Sequence, residues 1–395
     1  MISRLRQKIK NKNLLIIVIA ALFIKLGLFA YMVIYSPQGK FLPDSTDYLK
    51  SAEMIASRGA FAIENNGILS FEAFRTPGFP FFLAVFHYLL KIPLNGVVFI
   101  QILLAVSAAF FTYKAAYLID KRTAFLSALI ILISPPISIF SLQILADVLF
   151  LFLISLFTLA FIFYLKEKKL KFIMFSGILL ALATYVRPVS YYFCLAAAIF
   201  IVYAAIRERF WKGILYAGIF LLVSFGIIYI WQYRNYLHFH RFVFTSIQSE
   251  YRSFPIFEHY AKTDYFLGEN IPLVFSYINA AWNCFLSLMT RPGTLKYLGN
   301  PVLTVAGKIF GYPFVIFWWI GLLAGLSRIK SIYYQFALFM MAYFIFITIA
   351  VVARSSAERY SLPVIPLIAI LSSAGWVKLS DIYAKRKKIH PLQHL

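Results

Sequence analysis

The chain has 395 residues, of which 62% are hydrophobic and only 13% charged. So few polar side chains do not cover so large an apolar fraction in water, which excludes an ordinary soluble globular fold. The net charge of +23 is spread over short junctions between apolar runs, which speaks against a nucleic-acid partner and for anionic membrane lipids.

In chain order, apolar runs of about twenty residues recur, each long enough to cross roughly 30 Å of hydrocarbon. The first, over 13–35, follows Arg4, Arg6, Lys8, Lys10 and Lys12. It is too long for the apolar part of a signal peptide and no small-residue cleavage site follows, so it reads as a retained anchor. Further spans are expected at 95–119, 123–141, 146–165, 172–186, 189–206, 213–231, 311–327, 331–352 and 361–379, making about ten in all. Every second junction is basic: Lys121-Arg122, the cluster over 166–171, Arg207/Arg209/Lys212, Arg328/Lys330, and the tail over 378–388. That alternation follows the positive-inside rule and puts both termini in the cytoplasm. The expected fold class is an all-α polytopic membrane protein, one integral domain over 1–395. Cys194 and Cys284 offer no disulfide framework, which fits a bacterial plasma (inner) membrane.

Two connections are long, 36–95 and 232–311, and both fall on the outer side. The first is expected to hold an amphipathic helix over 46–58, with Tyr48, Ala52, Ile55 and Ala56 on one face, Ser45 capping its start and Gly59 its end. A second helix, over 79–91, is expected after Pro77-Gly78. The second loop holds an aromatic stretch over 254–260 and an apolar stretch over 271–289 that reads as interfacial.

The chemistry-bearing residues gather on that outer side. Asp44 follows Pro43 directly after the first span, where partial desolvation is expected to raise its pKa and its basicity. Asp47 lies at the same helix start, a place that also favours a carboxylate for plain electrostatic reasons. Asp147 opens the fourth span in an apolar run; an ionisable residue at that depth is costly and by default functional, a helix-start carboxylate being the blander reading. Arg75, Arg187, Arg354 and Arg359 stand at membrane boundaries on the side where basic residues are disfavoured, and their planar forks suit phosphate oxygens. Arg241, Arg252 and Arg291 read instead as snorkelling side chains. His238-x-His240, with Glu258-His259 nearby, reads as ordinary hydrogen bonding rather than a metal site. There is no glycine-rich phosphate loop, nucleophile elbow or Cys-x-x-Cys pair.

Several motifs, in order, resemble the GT-C fold of lipid-carrier-dependent glycosyltransferases, above all the protein O-mannosyltransferase-like and lipid A aminoarabinose transferase-like enzymes. They are the aspartate after the first span with Tyr48 and an alternating small/apolar helix, then Arg75-Thr76-Pro77-Gly78-Phe79-Pro80. Ser141-Leu142-Gln143-Ile144-Leu145-Ala146-Asp147, the segment from Gly177 to Arg187-Pro188, Trp231-x-x-Arg234-Asn235-Tyr236 and Glu358-Arg359-Tyr360-Ser361-Leu362-Pro363 continue the likeness. The resemblance implies that Asp44 is the catalytic base, Asp147 a second acid, and Arg75 and Arg187 ligands of the donor phosphate. Two departures stand out. Ser45 replaces the acid that often follows the base, leaving Asp47 or Asp147 to supply a second carboxylate. Arg75-Thr76-Pro77 replaces a common Lys-Pro-Pro. The chain also ends soon after its last basic cluster, where some members carry a large soluble domain.

The expectation is therefore a cell-envelope glycosyltransferase working on the outer membrane face. Its donor is a sugar on a polyprenyl phosphate; its acceptor is a hydroxyl of a glycolipid, glycan or protein. Tyr48 and Arg234 are expected substrate contacts, with Arg354 and Arg359 aiding the phosphate. Inversion is expected, without cofactor or metal, because fixed guanidinium groups replace the cation. A membrane polysaccharide polymerase and a lipid or glycan transporter are the alternatives; the latter usually shows paired repeats or helices broken at mid-membrane, neither evident in the sequence.

Overall fold

The computed structural model describes residues 2–65, 68–246, 273–292, 299–352 and 357–389. Among them, eight helices are long and apolar enough to cross a membrane, and the protein is a multi-pass helical membrane protein. The long helices are α1 (Ile2–Tyr35), α4 (Leu94–Ile119), α7 (Ala146–Glu167), α9 (Phe193–Arg207), α10 (Lys212–Phe239), α12 (Pro301–Gly325), α13 (Ile332–Val352) and α14 (Ile365–Ile389). Shorter helices are α2 (Pro43–Arg58), α3 (Gly78–Leu83, continued by a π turn over Ala84–Leu89), α5 (Ala124–Leu132), α6 (Pro135–Phe140), α8 (Leu170–Val186) and α11 (Leu273–Thr290).

Two of the expected spans differ from the eight. The 172–186 run forms α8, a 17-residue helix. The 123–141 run is broken into α5 and α6 at Ser134-Pro135-Pro136. Two consecutive prolines remove backbone donors and push Ser134 into an extended conformation, so one helix cannot pass through. Beside that break lies Lys25 of α1, buried in the bundle, its Nζ donating to Ser138 Oγ at 2.6 Å. The sequence reading missed this lysine, which is hidden within an otherwise apolar span.

α7 is the most buried of the long helices and packs on α4 and α8; α14 packs on α12 and α5. The α12–α14 contact is close because it is made of small residues. A Cβ on Gly375 would lie 1.9 Å from the Gly321 carbonyl oxygen, and one on Gly325 2.1 Å from that of Leu371. Small residues let backbones approach where lipid supplies no hydrophobic drive between helices.

The basic junctions meet at one end of the bundle. Arg122 pairs with Asp381 at 3.0 Å and Arg328 with the same carboxylate at 3.7 Å. Lys168 pairs with Glu208, and Arg207 reaches the Lys330 carbonyl at 2.5 Å. Four turns and the C-terminal part of α14 are thus tied together.

At the opposite end, α2 starts three residues earlier than expected, with Pro43 at its first position. Ser45 therefore sits inside the first turn and does not cap it as anticipated. Its Oγ accepts from the Leu42 N–H at 2.9 Å and donates to the Ile144 carbonyl at 2.9 Å. Gly59 ends the helix in the left-handed region, φ 63°, as its position foretold. A two-stranded hairpin follows, β1 (Ala62–Asn65) antiparallel to β2 (Ile68–Phe71), with Ala62 opposite Phe71. The sequence reading did not foresee it.

Candidate active site

Three loops converge at this end. The first carries Asp44, Asp47 and Tyr48 on α2. It is stapled to the segment just before α7 at both backbone polar atoms of one residue: Ile144 donates its N–H to the Lys40 carbonyl at 2.9 Å and accepts from Ser45. Gln101 of α4 supports the same segment through the Gln143 carbonyl at 2.7 Å. These bonds hold Asp44 near Asp147, which lies in the first turn of α7.

The second convergence joins Arg75 to Arg187. Glu72, nearly buried, turns the chain by accepting from the N–H groups of Phe74 and Arg75. Thr76 Oγ1 then donates to the Val186 carbonyl at 2.8 Å. Gly78 meets the end of α8 so closely that a Cβ would lie 2.7 Å from the Tyr185 carbonyl oxygen. The Thr-Pro-Gly of the motif is a backbone clamp between the two arginine-bearing segments.

The side chains form one alternating chain of charge. Arg75 Nη2 reaches Asp47 Oδ2 at 2.9 Å and Asp44 Oδ1 at 2.8 Å. Arg359 Nη2 takes the other oxygen of Asp44 at 2.7 Å, and its Nε lies 3.8 Å from Asp147 Oδ1. Arg187 donates to that same Asp147 oxygen. Three carboxylates and three guanidiniums thus sum to zero. The Tyr360 ring supports both Arg187, 4.8 Å from its centroid, and Arg359, 5.2 Å away. Tyr48 and Phe74 flank Arg75 at 5.4 and 5.1 Å.

Burial sharpens these interactions. The Asp147 side chain is fully enclosed, whereas that of Asp47 is 44% exposed. Asp147 Oδ2, Arg75 Nε and Arg359 Nε are buried without a hydrogen-bond partner among the described residues. Such atoms are costly unless something completes them, and they give the site two donors and one acceptor in reserve.

The expected rise in Asp44 basicity is not found. Burial pulls its pKa upward, the largest single effect, but Arg359 and Arg75 together outweigh it and hold the carboxyl below its ordinary value. For Arg359, burial disfavours the charge, yet Asp147, Tyr360 and Asp44 prevail and its pKa is raised. Burial raises the Tyr48 phenol, despite the opposing pull of Arg75, Arg187 and Arg359.

Of the residues singled out by sequence, the structure joins Asp44, Asp47, Asp147, Arg75, Arg187 and Arg359 in one network, with Tyr48 against it. Arg354 lies outside the described residues, as do Arg252, Glu258, His259 and the 254–260 stretch. Arg234 is not part of the network. It donates to the carbonyls of Phe61 and Glu72, both at 2.7 Å, and stacks on Trp231 at 4.9 Å. Asn235 beside it donates to the carbonyls of Val243 and Phe244. The Trp-x-x-Arg-Asn motif is therefore a strut that ties the hairpin to α10. Glu72, Thr76 and Ser45 were not recognised as builders of the site.

This arrangement, on this bundle, is the GT-C fold, and comparison with known proteins bears out the resemblance drawn from the motifs. A family model described as dolichyl-phosphate-mannose-protein mannosyltransferase matches residues 75–231, the stretch from Arg75 to the Trp231 strut. The archaeal oligosaccharyltransferase AglB from Archaeoglobus fulgidus, solved with an inhibitory peptide and a dolichol-phosphate, aligns with a TM-score of 0.61 at 13% identity. The alignment covers 98% of this chain and 52% of AglB. ArnT from Cupriavidus metallidurans aligns at 0.54 and 17% identity in the apo state, over 94% of this chain and 62% of ArnT. Bound to undecaprenyl phosphate, it aligns at 0.56 and 16% identity, over 95% and 62%. The chain thus spans between half and two thirds of these proteins' length. No curated protein matches its sequence.

Proposed function

We propose that this protein is a GT-C glycosyltransferase that moves a sugar from a polyprenyl-phosphate donor to an acceptor hydroxyl on the outer face of a bacterial plasma membrane. The observation that carries this reading is the neutral chain of three aspartates and three arginines, with buried guanidinium N–H groups that have no hydrogen-bond partner among the described residues. A phosphate is the anion whose geometry those forks fit. Family match and fold point the same way: the neighbours were solved with dolichol-phosphate and undecaprenyl phosphate.

In the proposed reaction the acceptor oxygen attacks the anomeric carbon and gives its proton to Asp44. The bond to the phosphate oxygen breaks, its electron pair leaving on the lipid phosphate, and a single displacement inverts the anomeric centre. Arg75, Arg359 and Arg187 stabilise the charge that grows on the leaving phosphate, with Arg354 proposed beside them from sequence. Asp147, fully enclosed, is proposed to hold Arg187 and Arg359 in place through one oxygen, its other oxygen leaving the second-acid role open to it. Asp47 and Tyr48 face the same space and are proposed substrate contacts. The acceptor is a hydroxyl of a glycolipid, glycan or protein.

The transporter reading gains one feature, the break between α5 and α6. Lys25 and serines line it, however, whereas the paired acids and arginines lie at the site end, so the enzyme reading is preferred.

Binding of undecaprenyl phosphate to the purified protein in detergent tests this reading. Losing one charge-assisted fork costs on the order of 10- to 100-fold in affinity. Arg75→Ala and Arg187→Ala are each expected to weaken binding by that much. Equal affinity in wild type and both variants would remove the phosphate site.

A further inference from the structure

The groups proposed to receive the donor phosphate are the same groups that neutralise the proposed base. Each Asp44 oxygen is held by a different guanidinium, Oδ1 by Arg75 and Oδ2 by Arg359. Asp44 is therefore sequestered in the resting protein. An acceptor hydroxyl arriving first would meet a carboxylate already satisfied by two cations.

We infer that seating of the lipid phosphate and release of the base are one event: the phosphate takes Arg75 and Arg359 and thereby frees the Asp44 carboxylate for the acceptor. This inference rests on the phosphate-site reading above and adds an order to it, donor before acceptor. Three features of the structure support it. Arg75 presents a buried Nε–H with no hydrogen-bond partner among the described residues, to which a second anion can bind before the first leaves. Asp147 and Tyr360 keep hold of Arg359, and Asp47 of Arg75, so both guanidiniums stay in place when Asp44 lets go. Meanwhile the first turn of α2 is fixed by Ser45 and Ile144, so the freed carboxylate keeps its position.

The charged and titratable groups facing Asp44 come from every packed element. They are Asp47 and Tyr48 on α2, Arg75 from the loop before α3, Arg359 and Tyr360 from the turn before α14, and Asp147 and Arg187 behind Arg359. The two guanidiniums are what hold the Asp44 carboxyl below its ordinary range, against burial. Once they are shared with a phosphate, burial and the new negative charge both act upward, so donor binding takes up protons in the window between the lowered and the raised pKa. It also keeps the base idle until there is a sugar to transfer.

Calorimetric titration with a prenyl methyl phosphodiester tests this, because that probe carries one fixed negative charge and nothing to transfer. Wild type, Asp44→Asn and Arg75→Ala are titrated between pH 5 and 7, in two buffers of different protonation enthalpy. The expected result is that Asp44→Asn binds about tenfold more tightly than wild type, the competing carboxylate being gone. Wild type is also expected to take up protons on binding, whereas Asp44→Asn does not. Proton uptake in wild type is read without any variant and so holds even if Asp44→Asn folds poorly. Wild-type binding that depends on Arg75 but takes up no protons, with Asp44→Asn no tighter, would overturn the coupling and leave the phosphate site standing. No binding by wild type would sink both.

Discussion

Asp147 and Arg187 lie 40 residues apart yet share an ion pair whose carboxylate is fully enclosed, while Asp44 and Arg359 meet across almost the whole chain. Buried charges of this kind are maintained by their partners. The sign of the Asp44 shift fixes how stability depends on pH. Its folded pKa is lowered, so its contribution is complete above the unfolded carboxyl value of about 4 and is lost as pH falls through the folded value. Wild type is therefore expected to unfold at a higher temperature than Asp44→Asn near pH 7, the difference shrinking as pH drops below about 4. A constant difference in melting temperature across that range would contradict the pairing. At this scale the sequence revealed most of the network, because a charge at the edge of an apolar run is conspicuous on cost alone. Which charge meets which was not legible. Nor was the pairing that lowers Asp44, since desolvation is visible from a neighbourhood and a partner 315 residues away is not. Glu72, and the bond of Ser45 to Ile144, were missed for a related reason: they act on backbone atoms distant in sequence or in an irregular turn, which leave no mark in the pattern of side chains.

Among the elements, the long helices were legible because hydropathy reports them directly, and the basic junctions ordered them. Irregular elements were not. Ser134-Pro135-Pro136 was read through as one span although its two prolines carry the information that a helix ends there. The hairpin 62–71 was missed because its second strand is exposed along its length and shows no alternation. The clamp between α3 and α8 sets how the Arg75 and Arg187 segments meet. Gly78→Ala places a methyl against the Tyr185 carbonyl and must shift one segment, and with it the spacing of Arg75 and Arg187. Because the shift falls on guanidinium placement, transfer is expected to drop by at least tenfold, on the scale of a misplaced charge-assisted contact, with α-helical content unchanged. Full transfer activity in a folded Gly78→Ala protein would show that the clamp does not set the site.

For the whole molecule, the two ends of the bundle divide the work. One end joins four basic turns to α14 through Arg122, Arg328, Asp381, Lys168 and Glu208; the other gathers a neutral network with donors unfilled among the described residues. The match to a mannosyltransferase family model over 75–231 and the GT-C neighbours agree with the proposal that the second end receives a lipid-linked donor. The measurement that tests this most directly is release of free polyprenyl phosphate from a panel of polyprenyl-phosphate sugars, with the purified protein and candidate acceptors. The account predicts release by wild type and a loss of about 10²–10⁴-fold in Asp44→Asn. Release at the same rate in Asp44→Asn, or none from any donor–acceptor pair by wild type, would contradict it.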